Sequence, residues 1–110
     1  MFNPDLKRGS LELLILSAIE DKPRHGYEIG RLIELRSRGM LELSGSTLYS
    51  ILYRMENRGW VKGRWVEKAG ERRRCMYALT PEGGRVLASQ MQEWKAFSLT
   101  VNRVVGLTSA

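Results

Sequence analysis

The residues of this sequence best suited to chemistry are polar side chains between Ser44 and Gly59. Those that recur at helical spacing on one side of this stretch, or flank that side, are Ser46, Thr47, Tyr49, Ser50, Tyr53, Arg54 and Asn57. The only carboxylate in the stretch is Glu56. Hydroxyl, amide and guanidinium groups donate hydrogen bonds to phosphates and base edges, and an α-helix fits the major groove of duplex DNA. The pattern favours a nucleic-acid contact; the alternative is an ordinary amphipathic helix with a solvated face.

A second chemical feature is the excess of cations that follows directly. Residues 60–76 hold two acids, Glu67 and Glu71, and six bases, which are Lys62, Arg64, Lys68, Arg72, Arg73 and Arg74. The whole chain has 18 Lys and Arg against 12 Asp and Glu, and its pI is near 9.9. Such a surplus suggests a polyanionic partner, although a basic surface can also serve solubility alone.

Enzymatic chemistry has no support in the sequence. The chain holds one histidine, His25, and one cysteine, Cys75, with neither a recognisable pair of carboxylates nor a glycine-rich phosphate loop. We therefore expect no catalytic residues, no metal and no cofactor. His25 is interpreted as a polar residue near a helix start. Cys75 is interpreted as an inward-facing thiol on a strand, with a redox switch as the alternative.

The same totals indicate the size and location of the protein. A length of 110 residues is typical of one domain with a modest core. A single cysteine excludes an internal disulfide and fits a reducing compartment. No apolar run reaches the roughly 18 residues of a membrane span, and the N-terminus does not have the order of a secretory signal. We expect a cytoplasmic protein without membrane contacts.

Two helices are expected before the polar stretch. The first begins after Ser10 and has a wide apolar stripe that ends at Asp21-Lys22-Pro23, because proline disfavours helix in the residue before it. The second follows His25 and stops at Gly39. The segment Met40-Leu41-Glu42-Leu43 is too short for a helix and is expected to form one extended pairing segment. Residues 1–9 are expected to form a short arm or the ragged start of a helix.

The polar stretch is itself predicted to be the third helix. Ser44 is its N-cap candidate and Gly59 suits its end, and its apolar stripe is formed by Leu48, Ile51, Leu52 and Met55. After Gly59 the period changes to alternation, which predicts a β-hairpin with its turn in residues 68–72. The first strand has Val61, Gly63 and Trp65 on one face. The second strand directs Cys75, Tyr77 and Leu79 inward.

A long final helix is predicted from Thr80-Pro81-Glu82 to about Val105, since this start combines a capping hydroxyl, a first-turn proline and an acid. Its apolar stripe consists of Leu87, Met91, Trp94, Phe97, Val101 and Val104. About 25 residues at 1.5 Å each make a helix longer than so small a domain is wide. We expect a second copy of the chain to cover its far half, giving a homodimer; packing onto the chain's own first helix is the alternative.

This order of elements predicts a mainly α fold with a small β-hairpin: a winged helix-turn-helix domain in residues 1–80 and a dimerisation helix with a tail in residues 81–110. The chain also resembles the PadR-like transcriptional regulators. The matching pieces are His25-Gly26-Tyr27-Glu28-Ile29, Ser46-Thr47-Leu48-Tyr49, residues 52–59, Arg73 to Tyr77 and Leu79-Thr80-Pro81-Glu82-Gly83. The set spans residues 10 to about 90 in the right order and spacing.

The resemblance implies a dimeric repressor, more rarely an activator, that binds a near-palindromic operator and has one C-terminal helix, as in the short-chain members. It implies that bases or phosphates meet Ser46, Thr47, Tyr49, Ser50 and Tyr53, and that Arg54 meets the backbone. The wing would be held on DNA by Lys68, Arg72, Arg73 and Arg74. The chain departs from the family at Ser50, where proline is usual, and at Trp60, where an aliphatic residue is common.

Such regulators often respond to small aromatic or lipophilic molecules, and the long helix offers a site for one. The residues expected at the dimer seam or around an effector are Leu87, Met91, Trp94, Phe97 and Val101. Copies of Met91, Trp94 and Phe97 from two chains either pack tightly or leave a flat apolar slot for a planar molecule. The alternative function for the whole chain is a winged-helix module that contacts an acidic protein.

Overall fold

The computed structural model describes residues 10–107, so the predicted arm at residues 1–9 and the last three residues of the tail lie outside the described part. Within it the chain forms α1 (Leu11–Ala18), β1 (Arg24–His25), α2 (Gly26–Arg36), α3 (Gly45–Asn57), β2 (Val61–Val66), β3 (Arg74–Leu79) and α4 (Pro81–Val105). The predicted fold class, three helices followed by a hairpin and a long helix, is confirmed.

The core forms where α1, α2, α3 and the start of α4 meet. Adjacent residues Ile15 and Leu16 of α1 are both fully buried, so this helix is covered on more than one side, as its wide stripe predicts. The helix ends at Ala18, ahead of the proline that was expected to end it. Arg24 Nε donates a hydrogen bond to the Ala18 carbonyl oxygen over 2.8 Å, which satisfies one of the acceptors that a helix end leaves open.

Helix α2 begins at a reciprocal cap. The backbone N–H of Glu28 donates to His25 Nδ1 over 3.3 Å, and the backbone N–H of His25 donates to Glu28 Oε1 over 3.4 Å. This is the capping-box arrangement, with histidine in the place of the usual hydroxyl. The interpretation of His25 as a polar residue at a helix start is therefore confirmed. Gly39 follows the helix with a φ of 78°, a left-handed conformation that glycine adopts without steric cost.

The extended pairing segment expected at residues 40–43 is wrong, because none of these residues belongs to a strand. The Leu41 backbone N–H donates to Ser37 Oγ over 3.0 Å, so a side chain takes the bond that a strand would have supplied. The third strand is β1, which pairs antiparallel with β3 in the register Arg24 with Tyr77 and His25 with Met76. The strand order is therefore β1-β3-β2.

Helix α3 has the start and the buried face that the sequence predicts. Ser44 Oγ accepts a hydrogen bond from the Thr47 backbone N–H over 3.2 Å. All four residues of its apolar stripe are buried: Leu48, Ile51, Leu52 and Met55. The opposite face is left to solvent.

The hairpin of β2 and β3 leaves the core as it extends. Its register runs from Val61 with Leu79 to Val66 with Arg74. Val61 at its root is buried, whereas Trp65 near its tip is 59% exposed although both were assigned to one face. Val61 and Trp65 lie on the same face of β2, but the core does not extend as far as Trp65.

Helix α4 starts at the predicted cap, where the Gly83 backbone N–H donates to Thr80 Oγ1 over 3.0 Å, and it ends at Gly106 with a φ of 80°. Leu87 is only 2% exposed and belongs to the chain's own core, so its assignment to the dimer seam is corrected. No helix within residues 10–107 combines the length and apolarity needed to cross a membrane.

Candidate nucleic-acid interface

The solvent side of α3 carries the hydroxyl groups that the sequence assigned to it. The six candidate residues on this helix are all exposed: Ser46, Thr47, Tyr49, Ser50, Tyr53 and Arg54. At its start, Ser44 Oγ lies 3.3 Å from Ser46 Oγ and donates to Thr47 Oγ1 over 2.9 Å. No acid lies in the first turn, so its side chains leave the partial positive charge of the helix N-terminus uncompensated. This end of α3 suits an anion.

The one carboxylate of α3, that of Glu56, makes a hydrogen bond within the fold. Glu56 Oε2 accepts a hydrogen bond from the Gly63 backbone N–H over 3.0 Å, which ties the last turn of α3 to the first strand of the hairpin. A Cβ at position 63 would lie 2.9 Å from Cys75 Sγ and 3.0 Å from Glu56 Oε2, so a larger residue there would displace these side chains. The hairpin is thereby anchored at its root.

Tyr77 and Cys75 complete this anchor from β3. Burial, followed by the neighbouring Cys75 and the charge of Glu56, raises the pKa of Tyr77 above its usual value. The phenol is therefore neutral at physiological pH and packs against the core. Cys75 is half-buried in this group, in line with its predicted inward direction.

The position of Tyr49 depends on Gly26, the first residue of α2. A Cβ built on Gly26 would overlap the Tyr49 phenol ring, so the ring occupies the space that a larger residue would fill. Tyr49 is nevertheless about half exposed, and its outer face is available to a partner. Helix α2 thus supports the polar face of α3.

The cations of the hairpin differ in how they are held. Arg74 Nη1 lies 2.9 Å from His25 Nε2. The Arg73 guanidinium stacks 4.7 Å above the Trp65 ring centroid and lies 3.8 Å from Glu67 Oε1. Within residues 10–107, by contrast, the side chains of Lys68 and Arg72 have no hydrogen bond or ion pair, which leaves their charges open to an outside anion.

A cleft of about 710 Å³, here named the wing cleft, joins these parts. Its lining residues are His25, Tyr27, Tyr49, Trp65, Arg72, Arg73, Arg74, Cys75 and Tyr77. It brings Tyr49 of α3 together with three predicted wing arginines. The other candidate residues, Ser46, Thr47, Ser50, Tyr53, Arg54 and Lys68, are not part of its lining.

Sequence reasoning missed five residues of the wing cleft, of which Cys75 and Tyr77 were expected only to point inward from their strand. His25 comes to it through the pairing of β1 with β3, a long-range contact without a local signal. Tyr27 is exposed in the first turn of α2, where an aromatic residue next to a glycine could have drawn attention. Trp65 was assigned only to the same face of its strand as Val61, and it lines the cleft. The cleft is therefore more aromatic than the sequence interpretation suggested.

A second candidate surface lies on α4. Beyond Leu87 the remaining seam residues, Met91, Trp94, Phe97 and Val101, are all exposed, and Phe97 is 63% exposed. The apolar exposure continues to the end of the helix, where Val104 is 80% exposed. Leu99 and Val105, which were not predicted as seam residues, are exposed as well. Packing onto α1 therefore covers only the first part of α4.

Comparison with known proteins assigns the chain to a family. The model of the family described as "Transcriptional regulator PadR-like family" matches residues 15–89. The chain belongs to the PadR-like family. The family resemblance is thereby confirmed, and PadR-like proteins are regulators of transcription.

Several PadR-like structures are similar over nearly the whole chain. A transcriptional regulator from Clostridium thermocellum is 30% identical, with 90% of this chain and 96% of that chain covered and a TM-score of 0.83. A PadR family regulator from Clostridium difficile is 33% identical, with 88% and 99% covered and a TM-score of 0.77. Among curated proteins, an uncharacterised protein from Lysinibacillus sphaericus is 30% identical over 86% of each chain.

One more distant protein was solved together with DNA. Bacillus subtilis PadR, solved in complex with operator DNA, is 21% identical and has a TM-score of 0.67. The match covers 74% of this chain and 47% of that one, and at this identity it demonstrates a shared fold alone. The PadR-like winged-helix fold is thus common to both proteins.

Proposed function

We propose that this PadR-like regulator is a homodimeric repressor that binds a near-palindromic operator through α3 and the wing. The observation that carries the proposal is the wing cleft, because it brings Tyr49 of α3 together with three arginines of the hairpin. A duplex on that side would receive α3 in its major groove and the wing on the flanking phosphates. The relative from Bacillus subtilis was itself solved with operator DNA.

The distribution of charge supports this docking direction. The start of α3 offers hydroxyls and no acid, while Glu56 is bonded to the Gly63 backbone and does not oppose a phosphate. Lys68 and Arg72 are exposed in the hairpin loop. Phosphate contacts supply affinity without sequence information, so we assign base reading to Tyr49 and Ser50 on α3.

The exposed apolar residues of α4 support the homodimer. A monomer in water would leave Trp94, Phe97 and Val104 uncovered, and such stripes mark protein contacts. A second copy provides a matching stripe, and two-fold symmetry would present two α3 helices about one helical turn of DNA apart. Residues 1–80 then act as the DNA-binding part and residues 81–110 as the dimerisation part. Its expected location is the cytoplasm, because a regulator must share a compartment with its DNA.

We further propose that a small aromatic or lipophilic effector binds at the seam, between copies of Met91, Trp94 and Phe97, and releases the operator. A planar molecule in a slot there would alter the spacing of the two α3 helices and so lower operator affinity. Titration with hydrophobic dyes should quench Trp94 fluorescence, and the quenching should disappear in Trp94→Ala. Trp60 and Trp65 remain in that variant as an internal reference.

The test of the main proposal is selection of bound fragments from random duplex DNA, followed by fluorescence anisotropy at several salt concentrations. We expect an enriched near-palindrome and a linear fall of log K with log salt concentration. The alternative, a winged-helix module that contacts an acidic protein, predicts neither enrichment nor a preference among duplexes. Absence of both would contradict the proposed function.

A further inference from the structure

We propose that Trp65 is a positioning residue for DNA binding, whose ring holds the Arg73 guanidinium so that its N–H donors meet a backbone phosphate. The inference rests on the proposed function, because it requires the wing to lie against DNA. Arg73 makes the phosphate contact, and we assign Trp65 itself no direct contact with the duplex.

The hairpin brings the two side chains together across its strands. Trp65 of β2 pairs with Cys75 of β3, and Arg73 comes two residues before Cys75. Diagonal neighbours of this kind lie within reach of aromatic and long side chains. Arg73 Cζ lies over the Trp65 ring, 4.7 Å from its centroid. A guanidinium within about 6 Å of an aromatic face is attracted by the ring quadrupole.

Trp65 has no place in the core that would account for its contact with Arg73. Its side chain is 59% exposed, and among the described residues it belongs neither to the buried core nor to the hydrophobic side chains packed against that core. It lines the wing cleft together with Arg73. The ring therefore acts on the wing surface and not on the interior of the domain.

A stacked guanidinium keeps its hydrogen-bond donors available. The ring covers one face of this planar group, whereas the five N–H donors of arginine point outward in its plane. That planar fork binds a phosphate through two parallel hydrogen bonds. Stacking and phosphate binding thus use different parts of the Arg73 side chain, and both contacts can be made at once.

The fold leaves these donors of Arg73 unused. Within residues 10–107 its side chain makes no hydrogen bond, and Glu67 Oε1 lies 3.8 Å from its Nε, beyond hydrogen-bond distance. Arg58 provides the contrast. Its guanidinium lies over the Trp60 ring at 5.0 Å, but its Nη1 donates to Glu12 Oε2 over 3.1 Å. The stacked Arg58 serves the fold, whereas the stacked Arg73 offers its donors to an outside anion.

The benefit of the ring is orientation. The Arg73 side chain is 58% exposed and comes directly before β3, next to a loop without regular structure. A long side chain loses less freedom on binding when it is already oriented. Trp65 therefore supplies an orientation that the loop alone does not.

The first experiment needs no DNA. Protons of a side chain held over an aromatic ring resonate upfield, so NMR of the full-length protein reports the contact directly. We expect upfield-shifted side-chain protons of Arg73 in the parent and ordinary values in Trp65→Leu. The protons of Arg72, which lies over no ring among the described residues, should not change. Identical Arg73 shifts in the parent and in Trp65→Leu would overturn the inference.

The second experiment asks whether an aromatic face is required. Operator affinity is measured for Trp65→Leu, which keeps an apolar side chain, and for Trp65→Phe, which keeps a ring, with thermal unfolding as a check on the fold. We expect Trp65→Leu to bind about two- to fivefold more weakly and Trp65→Phe to stay closer to the parent. Equal losses in the two variants would contradict positioning by the ring.

The third experiment combines Trp65→Leu with Arg73→Gln. The double variant should bind no more weakly than Arg73→Gln, because the ring acts through the cation that this change removes. The salt slope should fall by about one unit in Arg73→Gln and by less in Trp65→Leu, which keeps the charge. In the control cycle, the losses from Trp65→Leu and Arg72→Gln should add.

Additive losses in the cycle with Arg73 would mean that Trp65 acts independently of Arg73, and would overturn this inference while the proposed function stands. A parent protein that binds no duplex with sequence preference would overturn the proposed function and the inference together.

Discussion

At the scale of single residues, two glycines of this chain are required by what lies against them. Gly26 leaves room for the Tyr49 ring, and Gly83 allows the first turn of α4 to approach the Trp60 backbone. Both are helical residues with ordinary backbone angles, so the requirement is steric and does not come from their conformation. Gly26 faces a side chain and Gly83 faces backbone, so adding a methyl group should have a different effect at each position.

Gly26→Ala should change DNA preference more than stability. The added Cβ would overlap the Tyr49 ring, which is partly exposed and can rotate away from α2. Fragment selection with this variant should give an altered preferred sequence, with the thermal midpoint largely retained. Gly30→Ala is the matched control, because its Cβ would lie 3.6 Å from Leu48 Cδ2, an ordinary contact. An unchanged preference in Gly26→Ala would argue against base reading by Tyr49.

Gly83→Ala should destabilise the fold, because its Cβ would overlap the carbonyl oxygen of Trp60, which belongs to the backbone and has no free rotation. Overpacking of this kind typically costs about 1–3 kcal/mol. Gly84→Ala has space, with Leu79 Cδ2 at 4.0 Å, and should gain about 0.5–1 kcal/mol from helix propensity. Denaturant unfolding of both variants measures the contrast, and equal midpoints would contradict it.

The neutral Tyr77 phenol predicts a pH dependence of stability. Its pKa is raised in the folded protein by burial and by Cys75, while the unfolded chain has the ordinary value of about 10. The unfolded state therefore binds fewer protons above that pH, and the free energy of unfolding should fall as pH rises beyond about 10. Tyr77→Phe, compared with the parent in urea unfolding at a series of alkaline pH values, should remove part of this slope.

At the scale of elements, the proposed function assigns α3 and the wing different roles in DNA binding. Helix α3 presents polar groups on a face that is exposed to solvent, whereas the wing adds charge at a distance from the core. Their junction is the start of α2, which touches Tyr49 through Gly26 and Arg74 through His25. Element boundaries followed well from the sequence, but this junction did not, because it joins parts that are distant in the chain.

Arg72→Gln should weaken binding to all duplexes alike and reduce the salt slope by about one unit. Arg72 has no partner among the described residues, so its charge is free to meet a phosphate. Arg73→Gln should act in the same direction. Lys62→Gln is the matched control, since Lys62 is an exposed cation on the face of β2 opposite to Trp65. Equal salt slopes in Arg72→Gln and the parent would refute a phosphate contact.

At the scale of the whole molecule, α4 gives the chain an elongated shape. The principal extents are 56 × 29 × 22 Å, and the helix accounts for much of the longest one. A compact domain of this size would cover its own apolar residues, but here the far half of α4 runs past the core. The shape and the exposed stripe together suit a dimer.

Phe97→Asp should dissociate the proposed dimer, because it would bury a carboxylate without a partner in the seam. Sedimentation equilibrium should then report the mass of one chain, and operator affinity should fall with it. Gln92→Asp introduces the same charge at an exposed polar position of α4 and should leave the dimer intact. A parent protein that sediments as a single chain at working concentrations would contradict the dimer itself.

The sequence by itself determined the four helices, the hairpin and several of their ends. Ser44, Thr80 and Pro81 start helices, and Gly106 ends one, through hydrogen bonds and steric limits that involve residues a few positions away. The buried stripe of α3 followed from its period for the same reason. Local interactions can be worked out from neighbours in the chain, and these predictions held.

Only the tertiary structure decided which distant residues meet. In the tertiary structure β1 pairs with β3, Leu87 is buried in the core and Trp65 is exposed to solvent. The Glu56 carboxylate accepts a hydrogen bond from the wing backbone. Each outcome depends on where the core ends and on how elements pack, and neither is encoded in the residue types around a single position. The wing cleft forms through this tertiary packing. The sequence indicated its positive charge, but it did not indicate its aromatic walls or the contact between His25 and Arg74.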